Sequence, residues 1–289
     1  MFSRSRSVSF HQVPAGVRRF YDESNKERYL ATSRRTVVKA GVAMAAIGAG
    51  VSVAGVSVHA QSNDDTTPES TPDSTCVLTP QLTDGPYYLD DMVLREDVTE
   101  GKAGIPLELR MLVIDTSTCQ PIENAAVEIW HCDALGFYSG FVENNPGGTD
   151  DYVDDGSDPE TFFRGLQLTD AEGYATFQTI YPGWYAGRDI HIHLKIHVGG
   201  EADNGTYDGG HVSHSGQLAF ADAITDEVAL VEPYASKTDT FTRLEDDGVF
   251  RDVEEDNPTF FVELTQKDTG DIENGFTGTI TLGVDSSTS

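Results

Sequence analysis

Two histidines, His191 and His193, stand one residue apart in a run that alternates polar and apolar side chains. Such alternation is typical of a β-strand with one buried face, and residues two positions apart on a strand point to the same side. The two imidazoles would lie about 7 Å apart along the backbone, a spacing that allows both to reach one metal ion. A polar strand face gives the same pattern, and His197, which continues it, is interpreted as a bystander.

Two turns rich in aromatic residues add candidate oxygen ligands. Tyr185 ends the run Tyr181-Pro182-Gly183-Trp184-Tyr185, directly upstream of the histidine strand. Tyr138 lies in the run Leu135-Gly136-Phe137-Tyr138-Ser139-Gly140, shortly after a predicted strand that contains Trp130. Aromatic residues in turns usually cap a hydrophobic core, so neither tyrosine alone indicates chemistry.

Taken in chain order, these runs resemble the intradiol ring-cleavage dioxygenases, the family of the catechol 1,2- and protocatechuate 3,4-dioxygenases. The similarity extends from about Cys76 to Phe220. The runs that carry it are Asp84-Gly85-Pro86-Tyr87-Tyr88, Val127-Glu128-Ile129-Trp130, Gly136-Phe137-Tyr138-Ser139, Thr169-Asp170-Ala171-Glu172-Gly173-Tyr174, Pro182-Gly183-Trp184-Tyr185 and Arg188-x-x-His191-x-His193.

The resemblance implies a non-haem Fe(III) site with four protein ligands, which are Tyr138, Tyr185, His191 and His193. Two tyrosinates are hard anionic oxygen donors that suit ferric iron, and neutral imidazoles complete the set. By similarity, Tyr185 would leave the metal when a catecholate binds and would accept one of its protons. The metal would act as a Lewis acid and template for the ring.

Two more residues match polar residues of the family's pocket. Arg188 would stabilise the negative charge that develops on the substrate, although a surface ion pair is the alternative in so acidic a protein. Gln217 matches a glutamine near the O₂ site, although a polar residue at a strand end is the alternative. Trp184 and Tyr87 are expected to line the substrate pocket.

The resemblance therefore implies an enzyme that cleaves a catechol-type ring between its two hydroxylated carbons with O₂, giving a muconate-type diacid. The alternative from another class is a secreted β-sandwich binding or structural module whose metal site is vestigial or holds copper or zinc. No nucleophile elbow, phosphate loop or zinc-finger spacing is present. The sequence departs from well-known members of the family in two ways. The segment from Tyr185 to His191 is short, which leaves the substituents of the substrate ring undetermined. No helical dimerisation segment is predicted before the sandwich, which leaves the number of subunits in any homo-oligomer undetermined.

Strand patterns dominate the part of the chain that carries these residues. Turns rich in Gly, Asp and Pro separate the predicted strands, and no strong amphipathic helix is found, although 225–234 could be helical or extended. This pattern favours an all-β sandwich or barrel, and the family implies a transthyretin-like (prealbumin-like) sandwich. The predicted strands are 107–115, 125–131, 166–169, 174–180, 190–198, 217–220, 259–265 and 276–284.

The N-terminal 60 residues differ from the rest and predict export. They hold nine basic and three acidic residues. Arg34 and Arg35 precede the apolar run 40–58, and Val58-His59-Ala60 suits signal peptidase, which together resemble a twin-arginine signal. A retained membrane anchor is the alternative. Residues 61–75 are predicted to be a disordered polar linker and 76–289 a single domain of an extracellular or cell-surface protein.

The rest of the chain is strongly acidic, with ten basic and 45 acidic residues in 61–289. Nucleic acid and anionic membrane surfaces are excluded as partners because like charges repel, so membrane contact is expected only during export. Molar salt shortens the Debye length to about 3 Å, which favours adaptation to high salt, with an ordinary acidic secreted protein as the alternative. The acidic run 150–160 fails the EF-hand pattern at Val153 and is interpreted as a solvated loop.

The three cysteines are Cys76, Cys119 and Cys132. Export permits a disulfide, and an odd number allows at most one internal bridge. Cys119 and Cys132 lie near opposite ends of one predicted strand, so they are the least expected pair. The sequence leaves open whether Cys76 pairs with Cys119 or with Cys132.

Overall fold

The fold is an all-β sandwich of two sheets, as the strand pattern predicts. Within the described ranges of the computed structural model there are nine strands and one short α-helix. Those ranges hold no helix long and apolar enough to cross a membrane. The predicted signal, the linker and the acidic run 150–160 all lie outside them. The structure describes residues 76–90, 93–141, 161–253 and 259–287.

The two sheets contain five and four strands. In the first sheet, β1 pairs in parallel with β9 and antiparallel with β2 and β5, and β8 completes the sheet beside β9. The second sheet is antiparallel in the order β4-β3-β6-β7. In chain order the elements are β1 Pro106–Asp115, β2 Gln120–Pro121, β3 Ala126–Trp130, β4 Arg164–Leu168, β5 Tyr174–Ile180, β6 His191–Asp203, β7 Thr206–Ala219, α1 Asp222–Val228, β8 Glu263–Asp268 and β9 Asp271–Val284.

The core lies between the sheets and fixes which face of β6 carries the histidines. Ile192 and Leu194 of β6 are fully buried in it, together with Leu109 of β1. Burying each such side chain stabilises the fold by about 1.5–3 kcal/mol, so a one-residue slip of β6 would be strongly unfavourable. The alternation therefore holds His191 and His193 on the opposite face of the second sheet.

The hairpin of β6 and β7 is longer than the sequence pattern indicates. The strand predicted over 190–198 continues to Asp203, and the strand predicted over 217–220 begins at Thr206, so its predicted start was wrong. Asn204 and Gly205 connect the strands with φ angles of 50° and 87°, which a two-residue hairpin turn of this hand requires. Most residues around this turn are exposed, and the hydrophobic alternation that marks a strand fades there.

Other predicted elements also begin elsewhere in the structure. The segment 225–234 is helical only at its start, because α1 ends at Val228 and a separate 3₁₀ turn follows at Tyr234–Ser236. The strand predicted over 259–265 begins at Glu263, the strand predicted over 276–284 begins earlier, at Asp271, and the strand predicted over 166–169 begins at Arg164.

The N-terminal segment ties the two sheets together on its way to the site. Cys76 forms a disulfide with Cys119, which settles the open pairing, and Cys132 is a buried free thiol. Thr79 donates its backbone N–H to the Gly283 carbonyl of β9 at 2.8 Å. The Leu82 N–H then bonds to the Ser215 carbonyl of β7 at 3.0 Å, so the chain has crossed to the second sheet before residue 83.

Candidate active site

Tyr138 is held by a tight turn after β3. The Asp133 carboxylate accepts the backbone N–H groups of Leu135 and Phe137, each at 2.9 Å, which closes the turn. Gly136 has a φ of 95°, a conformation that side chains disfavour. The turn places the Tyr138 ring in a fully buried position beside the histidine strand.

The turn that carries Tyr185 packs directly on this first turn. The Gly183 N–H bonds to the Asp133 carbonyl at 3.1 Å. A Cβ at Gly183 would lie 2.4 Å from the Ala134 carbonyl oxygen, so only glycine allows this approach. The packing brings the hydroxyl oxygens of Tyr138 and Tyr185 to 3.4 Å from each other.

The histidines complete a compact group of four polar atoms. The Nε2 atoms of His191 and His193 lie 3.1 Å apart. The same His191 Nε2 lies 3.0 Å from the Tyr185 hydroxyl and 3.3 Å from the Tyr138 hydroxyl. Trp130 stacks on the His193 ring at 4.9 Å between centroids and fixes its plane. The structure thus brings together all four residues predicted as metal ligands.

The protonation of the group follows from burial. The Asp189 carbonyl accepts a hydrogen bond from His191 Nδ1 at 2.6 Å, so Nε2 directs a lone pair at the tyrosines. Burial and the nearby Arg188 charge lower the pKa of His191 to about 3, and burial holds the pKa of His193 well below its usual value. Burial also raises the pKa of both tyrosines. Neutral imidazoles are favoured, whereas tyrosinates need a cation beside them.

This donor set fits a ferric ion. Two ring nitrogens and two phenol oxygens converge in a buried place, and the lone pair of His191 Nε2 points into the middle of the group. Tyrosinate oxygen is a hard donor that matches Fe(III), and imidazole nitrogen suits iron as well. Within the described ranges no group of three or more His, Cys, Asp or Glu side chains is placed to hold a metal, so a metal here depends on the tyrosines.

Arg188 and Gln217 lie beside the four atoms, as predicted. Arg188 Nη1 is 3.4 Å from His191 Nε2, and its Nη2 donates to Gln217 Oε1 at 2.5 Å. Gln217 is fully buried and donates its own Nε2 hydrogen to the Thr83 carbonyl at 2.7 Å. The pair places a fixed positive charge and an oriented amide on one side of the group.

Asp247 is a site residue that the sequence did not reveal. Its Oδ2 accepts hydrogen bonds from Arg188 Nε at 2.9 Å and from the Asp189 backbone at 2.7 Å. Burial opposes its ionisation, but the Arg188 charge and backbone N–H donors keep its pKa below the ordinary value. Asp247 stands in the acidic run Glu245-Asp246-Asp247, where spacing cannot distinguish it from solvated neighbours.

Residues 83–88 form a strap over the group. A Cβ at Gly85 would lie 3.2 Å from His193 Cε1, so the strap backbone passes directly over that imidazole. The Tyr87 ring stacks on the Tyr138 ring at 4.6 Å between centroids, with 15° between the planes. Tyr87 therefore lies where a wall of the substrate pocket was expected.

Two predicted neighbours take other positions. Trp184 packs in the main core near Tyr234 and donates its Nε1 hydrogen to the Asp239 carbonyl at 3.1 Å, rather than lining the group. His197 is buried, with its Nε2 at 3.1 Å from Glu128 Oε2. It has its own partner and stays apart from the four converging atoms.

Sequence relatives share the region of these residues. A family model described as Dioxygenase matches residues 83–202. The protocatechuate 3,4-dioxygenase beta chain of Burkholderia cepacia is 33% identical over 123 residues, which is 38% of this chain and 49% of that one. Catechol 1,2-dioxygenase of Candida albicans is 30% identical over 105 residues, 35% of this chain and 31% of that one. The chain thus spans about half or less of the length of these curated relatives.

Solved structures extend the likeness over both sheets. An intradiol ring-cleavage dioxygenase from Tetranychus urticae superposes with a TM-score of 0.60 at 29% identity, covering 74% of this chain and 96% of that chain. A second dioxygenase of known structure gives a TM-score of 0.59 at 30% identity, with the same coverage of both chains. The sandwich, its strand with paired histidines and these relatives agree, and the chain belongs to the intradiol ring-cleavage dioxygenase family.

Proposed function

We propose that this protein is a non-haem Fe(III) dioxygenase that cleaves a catechol-type ring between its two hydroxylated carbons with O₂, giving a muconate-type diacid. The observation that carries the proposal is the convergence of two tyrosine hydroxyls and two histidine Nε2 atoms, with neighbouring atoms 3.0–3.4 Å apart. Membership of the family supports the class of reaction. The curated relatives bear the names of catechol and protocatechuate dioxygenases.

Tyr138, Tyr185, His191 and His193 would hold the ferric ion, which supplies Lewis acidity to a bound catecholate. Tyr138 is fully buried, and its turn is closed by the Asp133 carboxylate, so it is suited to stay in place. Tyr185 is slightly exposed, at 7%. Its phenolate oxygen, held as such by the metal, is therefore the group best placed to move and to accept a proton from the substrate.

The surrounding residues position and shield the substrate. Arg188 offers a fixed positive charge toward an anionic ring, and such charge acts most strongly where water is excluded. Gln217 orients that guanidinium through its amide oxygen. The stacked ring of Tyr87 helps to keep water from Tyr138.

The first test is the visible absorption of the iron-reconstituted protein in high salt. We expect a broad tyrosinate-to-iron band that shifts when catechol is added without oxygen. Tyr138→Phe and Tyr185→Phe should each weaken the band. Tyr181→Phe should leave it unchanged, because Tyr181 is equally buried but bonds to Thr225 away from the group.

The second test is turnover of catechol, measured as oxygen uptake together with formation of the diacid. A colourless iron-loaded protein, or one that takes up no iron, would remove the basis of the proposal. The chain would then be a β-sandwich module with a vestigial or different metal site.

We also infer that residues 1–60, which lie outside the described residues, direct export through the twin-arginine route. The inference rests on Arg34 and Arg35 before an apolar run and a cleavage pattern. Replacing both by lysine should leave the protein in the cytoplasm, as measured by cell fractionation. The same change at the upstream pair Arg18 and Arg19 is the control and should leave export intact. Equal export of both variants would contradict the inference.

A further inference from the structure

We propose that the ion pair of Asp84 and Lys195 makes the pocket select uncharged catechols over catechols that carry a carboxylate. This inference rests on the proposed dioxygenase function and specifies its substrate class. It arises from the charges next to the four converging atoms and from how each cation there is already paired.

The ion pair lies directly beside the candidate ligands. Lys195 follows His193 by two positions on β6 and therefore shares its face. Its side chain is only 10% exposed, and its Nζ lies 2.9 Å from Asp84 Oδ2. Asp84 precedes Gly85, where the strap passes over His193 so closely that a Cβ would lie 3.2 Å from its Cε1 atom. A ring bound at the histidines would therefore have this ion pair as a neighbour.

Lys195 is also covered on a second side. Its Nζ lies 3.4 Å from the centroid of the Tyr88 ring, so an aromatic face and a carboxylate both satisfy its charge. Asp84 Oδ1 is buried and has no hydrogen-bond partner among the described residues. The negative end of the pair is thus less well compensated than the positive end.

The other cations near the four atoms also have partners. Arg188 is paired with the buried Asp247 at 2.9 Å. Arg164 donates to the hydroxyl and the carbonyl of Ser139, next to Tyr138. The segments 91–92, 142–160 and 254–258, which the structure does not describe, contain no Lys or Arg that could add a cation.

A substrate carboxylate beside Asp84 would therefore lose part of its hydration, while the nearest cation, Lys195, is already paired. Burying an unpaired carboxylate is strongly unfavourable. The excess of acidic residues over 61–289 adds a longer-range repulsion. An uncharged ring substituent meets neither cost, so the pocket should discriminate by charge more than by size.

The experiment compares two rings of nearly equal shape, 4-methylcatechol and 3,4-dihydroxybenzoate, with the iron-loaded full protein. We expect kcat/KM at least about tenfold higher for the methyl compound. Asp84→Asn should reduce the ratio of the two kcat/KM values by about fivefold, because it releases the Lys195 charge. Adding Lys195→Met to that variant should restore the original ratio. Glu108→Gln breaks the exposed Glu108–Lys267 pair on the first sheet and should leave the ratio unchanged.

A binding measurement separates this inference from the proposed function. Anaerobic calorimetry gives the ratio of dissociation constants for the two rings without turnover, and it should follow the kinetic ratio. Equal or tighter binding of the carboxylated ring by the unmodified protein overturns the inference and leaves the dioxygenase proposal standing. A ratio of dissociation constants that is the same before and after Asp84→Asn also overturns the inference.

Failure to cleave either ring, with no visible band, overturns the proposed function itself. If Asp84→Asn does not fold, the ratio of dissociation constants for the two rings in the unmodified protein decides whether the inference stands.

Discussion

Arg188 can act on a substrate only if its guanidinium stays beside His191, and Asp247 is the residue that holds it. Changing Asp247 to Asn keeps one acceptor oxygen but removes the negative charge that pairs with Arg188. We expect kcat to fall about tenfold or more with a smaller change in KM, because the charge is displaced from the developing anion. Steady-state kinetics with catechol measure both constants.

The matched control is Asp246→Asn, which removes the same charge from the neighbouring exposed position. It should leave both constants close to those of the unmodified protein. Equal losses in the two variants would mean that net charge, not the contact with Arg188, is responsible.

His214 gives a prediction about acid stability that is separate from catalysis. It is buried, and neither ring nitrogen has a hydrogen-bond partner among the described residues. Burial alone lowers its pKa from the usual value to about 4. The folded state therefore binds a proton less readily than the unfolded chain. The stability that His214 contributes is complete above its unfolded pKa, near 6.5, and is lost as the pH falls toward 4.

Replacing His214 with Leu should therefore reduce the stability lost between pH 6.5 and 4 by about 1–3 kcal/mol. Urea unfolding at several pH values measures how steeply the free energy of unfolding depends on pH. The partly exposed His211 on the same strand is the control, and His211→Leu should keep the acid sensitivity. A slope unchanged by His214→Leu would show that His214 is not the acid-sensitive group.

The sequence predicted most of the site because its residues lie close together in the chain or in family runs. Strand alternation places His191 and His193 on one face, and their role as ligands follows from the resemblance, as do the roles of the tyrosines, Arg188 and Gln217. Asp247 could not be predicted, because its contact with Arg188 joins residues 59 positions apart. Only the fold brings that acidic turn to the start of β6.

At the scale of elements, the disulfide between Cys76 and Cys119 fixes the segment that leads to the strap. It closes a loop with a sequence separation of 43. Closing a loop of that length stabilises a fold by about 3–4 kcal/mol in the chain-entropy model. We expect Cys119→Ser to lower the free energy of unfolding by a similar amount, as measured in urea.

Reductant provides the control for this prediction. It should destabilise the unmodified protein as much as Cys119→Ser does, and should have no further effect on the variant. A thiol assay should detect Cys132 only after unfolding, because it is buried. Insensitivity of the unmodified protein to reductant would show that the disulfide does not contribute as expected.

The strands were predicted well where one face is buried and poorly where neither face is. Alternation in β1 and β5 reflects a fully buried face against a more accessible one, and their bounds match the prediction within a residue. The first half of β7 is largely exposed, so its sequence carries no such alternation. Its one local signal is the turn at Asn204 and Gly205, which favours a hairpin.

At the scale of the whole molecule, the excess of acidic residues dominates the expected response to salt. The described ion pairs use much of the scarce positive charge, including Arg95 with Glu100 and Arg243 with Asp226. The remaining carboxylates repel one another in the folded state more than in the expanded chain. Raising KCl from 0.1 to 1 M shortens the Debye length from about 10 to 3 Å and should remove most of that repulsion.

We therefore propose that the protein is adapted to high salt and expect its melting temperature to rise by about 5 °C or more over that range of KCl. Differential scanning calorimetry measures the shift. Sucrose at equal osmolarity is the control, because it favours compact states without screening charge. The rise in KCl should be steepest at the lowest salt concentrations, where the Debye length changes most, whereas sucrose should give no such curvature. A melting temperature that stays flat or falls in KCl would mean that carboxylate repulsion does not limit this fold, and the acidic surface would then need an explanation other than salt.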